Sequence, residues 1–249
     1  MRNAISAVAK LLIFILAGCP PAETPVGPAG SATAAMSAIA ASPEQGLGER
    51  ADVFVARAAQ LEVVMTPMLI QLSKRFDGEM YKLEYRLKTR KSTLRKLNKM
   101  HSEKPSTPIG ELSIDDSLRY TMKLADEPRG RYLEAVKAVV VHLEGEGYGI
   151  VKIKNYWPDG DNYSGINSVL RDPRGLEWEL QFHTPRSIEA QLATRPQYEE
   201  LRKVDTPIER KRELFDAMTQ IWDEVPLPEG ILVPEAIHER EQIRERTRP

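Results

Sequence analysis

The sequence predicts an α+β domain, with helices before and after a mixed sheet of four or five strands. Three observations carry this prediction. Apolar residues recur at intervals of three and four between Ala51 and Ser73. Beyond the loop that ends at Gly110 the period changes to two. Late in the chain, Asp172-Pro173-Arg174-Gly175 stands between two alternating runs, with proline early and glycine late as a tight reversal requires.

In the first helical region Val53, Val55, Ala58, Leu61, Val64, Met65, Met68, Leu69 and Leu72 define the apolar side, and Pro67 is expected to divide it into two helices. After Phe76-Asp77-Gly78, the stretch from Glu79 to Met100 reads as another helix, with Leu83, Leu87, Leu94 and Leu97 on its apolar side. A loop from Ser102 to Gly110 closes it. Ser117 to Leu124 then reads as a strand, Tyr132 to Glu144 as a helix and Ile150 to Trp157 as a strand. Ser168 to Arg171 and Leu176 to His183 make an antiparallel hairpin. Helices follow from about Ser187 and from Glu209 to Trp222.

The chain has 249 residues, 41% hydrophobic and 29% charged, which suits a soluble globular protein with a sizeable core. With 35 basic and 36 acidic residues, no whole-protein field draws nucleic acid or anionic lipid, so any nucleotide site must be a local cationic cluster. One cysteine, Cys19, excludes an internal disulfide. Ahead of it stand Arg2, Lys10 and the apolar run LLIFILAG, too short to span a bilayer at about 20 residues. Leu16-Ala17-Gly18-Cys19 resembles the lipobox of bacterial lipoproteins, in which the thiol carries lipid and anchors the mature protein to the cell envelope. The competing reading is a buried N-terminal helix with an incidental cysteine. Residues 20–48, rich in Pro, Ala, Gly, Ser and Thr, read as a flexible tether. The expected organisation is therefore a signal peptide over 1–19, the tether, a folded domain over 49–228 and a charged tail over 229–249.

Arg86, Lys88, Arg90, Lys91, Arg95, Lys96 and Lys99 are expected on one helix, where they would offer several charge-assisted donors to a polyphosphate. A solvated helix face is the competing reading. The pattern Arg86-x-Lys88-x-x-x-Ser92-x-x-Arg95-Lys96-Leu97 resembles the ATP-binding segment of the RelA/SpoT synthetase family. Three more stretches follow in that family's order. Lys152-Ile153-Lys154-Asn155-Tyr156-Trp157 is similar to its basic strand, Tyr163-Ser164-Gly165-Ile166-Asn167 stands where it has Gly-Tyr-x-Ser-Leu-His, and Glu179-Leu180-Gln181-Phe182-His183-Thr184 is similar to its Glu-x-Gln-Ile-Arg-Thr strand. The resemblance runs from about Tyr81 to Ala190, and it is that of a divergent synthetase-only member near the toxin-associated group. The interval ahead of the synthetase motifs has no room for the hydrolase domain of larger members.

The resemblance implies a nucleotidyltransferase-like sheet and transfer of pyrophosphate from ATP to the 3′-hydroxyl of an acceptor: GDP, GTP, an adenine nucleotide or a tRNA end. It implies magnesium held by Asp116 and Glu179, with Glu179 as the base and Gln181 beside it. Arg86, Lys88, Arg90, Ser92, Arg95, Arg119, Lys152 and Lys154 would hold ATP and its phosphates. Tyr163 would stack on the acceptor base, with Asn167 and His183 also on the acceptor. The chain departs from the pattern in several places. Asp115 and Asp116 lie four and three residues before Arg119 rather than five, Asn167 replaces a histidine, His183 replaces an arginine, and the loop before Tyr163 is short. Export by a lipobox also conflicts with cytoplasmic ATP. Delivery into another cell as a toxin with an immunity partner is one resolution, a different nucleotide outside the cytoplasm is a second, and a start site downstream of Met1 is the third. The alternative function is a non-catalytic nucleotide-binding lipoprotein that keeps the fold.

Overall fold

In the computed structural model, which describes residues 43–158 and 162–232, five strands form one mixed sheet. The signal peptide with Cys19, most of the tether, three residues of the loop before Tyr163 and most of the C-terminal tail lie outside the described residues. The sheet order is β1 (Glu79–Tyr81), β2 (Arg119–Lys123), β5 (Glu177–His183), β4 (Ile166–Arg171) and β3 (Gly149–Asn155). Only β2 and β5 run parallel. The β4–β5 hairpin turns at Asp172-Pro173-Arg174-Gly175 as expected. Asp172 Oδ1 accepts from the backbone N–H groups of Arg174 and Leu176, and Gly175 takes φ 85°, a conformation that costs glycine nothing.

The first helix, α1 (Pro43–Arg75), begins six residues inside the expected tether, with Leu47 already buried. It also runs unbroken through Pro67, contrary to the expected division into two helices. The proline deletes one backbone bond, to the carbonyl of Val63, but both residues face solvent, where water can take the freed oxygen. The opposite side holds the helix together: Leu47, Ala51, Phe54, Ala58, Leu61, Met65, Leu69 and Leu72 are buried at intervals of three and four. Val53 and Val64, expected on that side, are exposed.

The expected helix over Glu79–Met100 is three things instead. Glu79–Tyr81 is strand β1, Leu83–Tyr85 is a short 3-10 turn, and α2 starts only at Arg90 and ends at Glu103. Thr89 caps α2, its Oγ1 accepting from Ser92 N at 3.2 Å. The segment ahead of the cap bonds sideways to the chain entering β2, with Lys88 N donating to Ser117 O and Arg119 N donating to Arg86 O. Tertiary pairing overrides the helical pattern there.

The remaining helices fall close to expectation: α3 (Arg131–Gly145), α4 (Pro185–Leu201) and α5 (Ile208–Asp223). α4 opens with a reciprocal cap between Thr184 and Ser187 and with proline in its first turn.

One sheet face is apolar, built from Tyr120, Met122, Ile150, Ile153, Ile166, Leu170, Trp178, Leu180 and Phe182, all buried. A bulge between Ile150 and Lys152 lets Ile150 and Ile153, three apart, both reach it. α1 and α3 belong to the same core. Thr66 on α1 hydrogen-bonds the Tyr120 hydroxyl at 2.8 Å, and Tyr132 on α3 donates to Phe182 O at 2.9 Å. A second, smaller core joins α4 to α5 through Ala190, Leu201, Leu214, Met218 and Trp222, and Tyr163 packs against it. The other sheet face is therefore left to the polar residues of alternate register.

Candidate active site

Register fixes what shares that polar face. The β2–β5 pairing sets Arg119 opposite Glu179, Thr121 opposite Gln181 and Lys123 opposite His183. On the other side of β5, Val169 lies opposite Glu179 and Asn167 opposite Gln181, and Asn167 in turn faces Lys154 on β3. Because side chains alternate with period two, all of these project from one face.

At one end of the face is a charged centre. Asp116, buried just before β2, accepts from two lysines: Lys88 Nζ at 2.8 Å on Oδ2 and Lys96 Nζ at 2.8 Å on Oδ1. Lys96 also reaches Asp115 Oδ1 at 2.9 Å. Burial works against the Asp116 charge, yet Lys96 and Lys88 outweigh it and hold the carboxyl well below the usual range. Burial likewise opposes the Lys96 charge, and Asp116 and Asp115 hold its ammonium above the usual lysine range. Glu179 moves the other way. Burial pushes its carboxyl up and the Asp116 and Asp115 charges add to that, while Arg119 and the Gln181 bond pull it down. Gln181 Nε2 donates to Glu179 Oε1 at 2.8 Å, and its own Oε1 accepts from Thr121 Oγ1 at 3.2 Å. A raised, oriented carboxyl of this kind has the chemistry to exchange a proton with a ligand.

At the other end of the face the hydrogen bonds around Tyr163 join neutral groups. Tyr163 hydroxyl donates to Asn167 Oδ1 at 2.7 Å and lies 2.9 Å from His183 Nε2. His183 Nδ1 lies 3.0 Å from Ser187 Oγ in the first turn of α4. The imidazole is fully buried, and burial pushes its pKa down to about 4 despite a backbone hydrogen bond with Ser164. The Tyr163 ring meets Tyr156 and His183 edge-on, each with centroids 5.2 Å apart, and Trp222 at 6.0 Å.

The structure thus brings together Lys88, Asp116, Arg119, Glu179 and Gln181 at one end, and Tyr163, Asn167 and His183 at the other. It does not gather the remaining expected phosphate ligands at the charged centre, and Arg86 and Lys88, expected on the helix, precede it. Arg86 lies ahead of α2, with Nε donating to Glu62 of α1 at 2.6 Å and Nη1 donating to Leu83 O at 2.7 Å. Arg90 pairs with Asp52 of α1 at 2.6 Å on the exposed side, and Arg95 is exposed. Ser92 is buried in the α2 cap. Lys152 is exposed on β3, two strands from β5 and so about 10 Å away. Lys154 sits over the Tyr156 ring at 4.3 Å. His183, expected on the acceptor, is instead sealed inside the protein.

Sequence reasoning gave no particular role to four contributors: Lys96, Thr121, Ser187 and Glu62. Lys96, one cation among seven in the sequence, had a signal, since it lies one turn from the buried Ser92 and next to buried Leu97 on α2. Thr121 had one in strand parity with Arg119. Glu62 and Ser187 reach their partners through tertiary packing and had none.

Among the described residues, no group of three or more His, Cys, Asp or Glu is arranged to hold a metal ion. Magnesium in phosphoryl-transfer sites takes one or two protein carboxylates and completes its shell with phosphates and water. The two carboxyls that the resemblance implies for magnesium, Asp116 and Glu179, both lie at this end of the face, with Asp116 bonded to Lys88 and Lys96.

No family model matches the chain, and no curated protein matches it. Solved structures do show likeness. The type VI effector Tas1, in complex with its immunity protein, is 17% identical with a TM-score of 0.48, over 70% of this chain and 95% of that one. The small alarmone synthetase 1 of Bacillus subtilis bound to pppGpp is 11% identical with a TM-score of 0.46, over 70% and 91%. A GTP pyrophosphokinase family protein from Streptococcus pneumoniae is 15% identical with a TM-score of 0.45, over 70% and 86%. At these identities and scores the overlap says nothing of substrate or activity.

Proposed function

We propose that the protein is a pyrophosphokinase that transfers the β,γ-pyrophosphoryl group of ATP to the 3′-hydroxyl of an acceptor nucleotide, GDP or GTP, an adenine nucleotide or a tRNA end. One observation carries the reading. Glu179 is a carboxyl with a raised pKa, oriented by Gln181, opposite Arg119 in register and beside the Lys88–Asp116–Lys96 cluster. The four motif resemblances in family order support it.

In this reading Glu179 takes the proton of the 3′-hydroxyl. The freed oxygen bonds to the β-phosphorus, the bond from that phosphorus to the α–β bridging oxygen breaks, and AMP leaves. Arg119, Lys88 and Lys96 offset charge on the phosphates. Bound at Asp116 and Glu179, magnesium would neutralise charge between the phosphates. Each Asp116 oxygen accepts from one lysine, so a phosphate or metal arriving there would share or displace these ammonium groups.

A second reading is nucleotide binding without catalysis, and the pairing of Arg86 to Glu62, Arg90 to Asp52 and Lys88 to Asp116 weighs against a ready-made grip on the ATP phosphates. The test that separates them uses purified protein, magnesium and ATP labelled in its β-phosphate, with GDP, GTP, ADP, ATP or tRNA as acceptor. One acceptor should become labelled, and Glu179→Gln should lower that rate by about a thousandfold, within the range for a general base. A folded wild-type protein that labels none of them removes the catalytic reading. We propose further that lipid on Cys19 anchors the protein to the envelope and that delivery to another cell, with an immunity partner in the producer, reconciles export with ATP chemistry. Mass spectrometry of the membrane fraction for acylated Cys19 checks the first step, and an unmodified N-terminus would refute it.

A further inference from the structure

His183 stands at the position where the motif it resembles has an arginine, yet it has no path to a ligand. Its side chain is completely buried. Both ring nitrogens are engaged, Nε2 with the Tyr163 hydroxyl at 2.9 Å and Nδ1 with Ser187 Oγ at 3.0 Å, so whichever nitrogen carries the proton, none is left for a nucleotide. Ser187 is itself pinned, accepting from Thr184 N at 3.0 Å within the α4 cap. The chain is also shaped around the ring. A Cβ on Gly165 would fall 2.8 Å from His183 Cε1 and 3.0 Å from Phe182 O, so only glycine lets the Tyr163–Gly165 segment wrap the imidazole so closely. The Tyr163 hydroxyl is held a second time by Asn167 Oδ1 at 2.7 Å, from the neighbouring strand.

We propose that His183 is a positioning residue, which with Asn167 locks the phenol of Tyr163 and thereby sets the ring that receives the acceptor base. The proposal rests on the reading of Tyr163 as the acceptor platform. The chain of bonds runs from the α4 cap through Ser187 and His183 to Tyr163, and so ties the platform to the start of a helix rather than to the loop that carries it. Preorganisation of this kind lowers the ordering cost that binding would otherwise meet. It also gives the departure from the motif at this position a meaning: the histidine serves as a buried strut.

The test uses the full chain as wild type, as His183→Phe, His183→Gln and Tyr163→Phe, and as the double variant that combines His183→Phe with Tyr163→Phe. Acceptor and ATP binding are measured separately by calorimetry, and KM and kcat by transfer. Tyr163→Phe keeps the ring but frees it, and being less invasive it stands if His183→Phe does not fold. Both single Phe variants should weaken acceptor binding about tenfold, and the double variant should be no worse than either, as for residues acting through one contact. ATP binding and kcat should change less than about twofold, and His183→Gln, which retains a hydrogen-bonding side chain, should recover most of the loss.

Acceptor binding unchanged in folded His183→Phe and Tyr163→Phe overturns the proposal. So does equal loss of ATP and acceptor affinity, or a wild-type protein that binds no acceptor. If acceptor binds, weakens as expected in the variants, and yet no transfer occurs, the positioning role stands and only the pyrophosphokinase reading falls.

Discussion

At the Glu179 end of the polar sheet face, Lys88, Lys96, Asp115, Asp116 and Arg119 act on one another through charge. Four residues further along β5, about 13 Å away, Tyr163, Asn167, His183 and Ser187 are joined by neutral hydrogen bonds. The two ends solve different problems. A lysine on a carboxylate can be handed to an incoming phosphate, because the ammonium needs only a negative partner and has three donors with which to meet one. A tyrosine hydroxyl between an amide oxygen and an imidazole has no such freedom, since each bond depends on direction. One end is suited to exchange and the other to holding still.

The sharpest way to break this comparison is to remove one member of the charged end. Lys88 and Asp116 are 8% and 9% exposed, so Lys88→Met should leave an under-compensated buried carboxylate and cost about 3 kcal/mol or more in urea unfolding. A negligible loss would mean that Lys96 alone satisfies Asp116.

The neutral end should reveal itself through pH. His183 is pushed down to about 4 in the folded protein, whereas the unfolded chain titrates near the ordinary value of about 6.5. The unfolded state then binds the extra proton first as pH falls. Stability from a neutral His183 is complete above about pH 6.5 and is lost toward about pH 4, by roughly 3 kcal/mol. Unfolding of wild type and His183→Gln across that window, compared as a difference, checks this. Parallel pH curves would show that the imidazole is not held neutral by its surroundings.

The smallest effect is expected outside both ends. Arg90→Ala breaks an exposed pair with Asp52 and should leave the urea midpoint where it was. A clear drop would mean that α1 and α2 depend on that pair.

Much of the sheet was legible in the sequence because its signals are local. The alternation through Trp178, Leu180 and Phe182 and the turn at Asp172–Gly175 define β4 and β5 without help from the rest of the chain. β1 was not legible. Its three residues sit in a cationic, helix-compatible stretch, and only pairing with β2 makes them a strand. Pro67 misled for the opposite reason, since the penalty it carries is small where the freed carbonyl faces water. In the site, strand parity placed Glu179 and Gln181 together, and register with β2 added Arg119. The role of His183 was hidden because period two says which face a residue joins, not whether another element covers it. Tyr163 and the α4 cap do so from 20 and four residues away in sequence.

The place of β5 in the sheet has one more consequence. Among the described residues it is the last strand in the chain, and it joins β2 to β4. Until β5 has been synthesised, β1–β2 and β3–β4 have no strand between them. Lys88, Lys96, Asp116 and Arg119 then belong to one half and Tyr163 and Asn167 to the other, and the residue that answers to both has not been made. A growing chain therefore cannot bring the two groups onto one sheet before β5 is made. It is β5, paired with β2 on one side and β4 on the other, that brings the two groups onto one face.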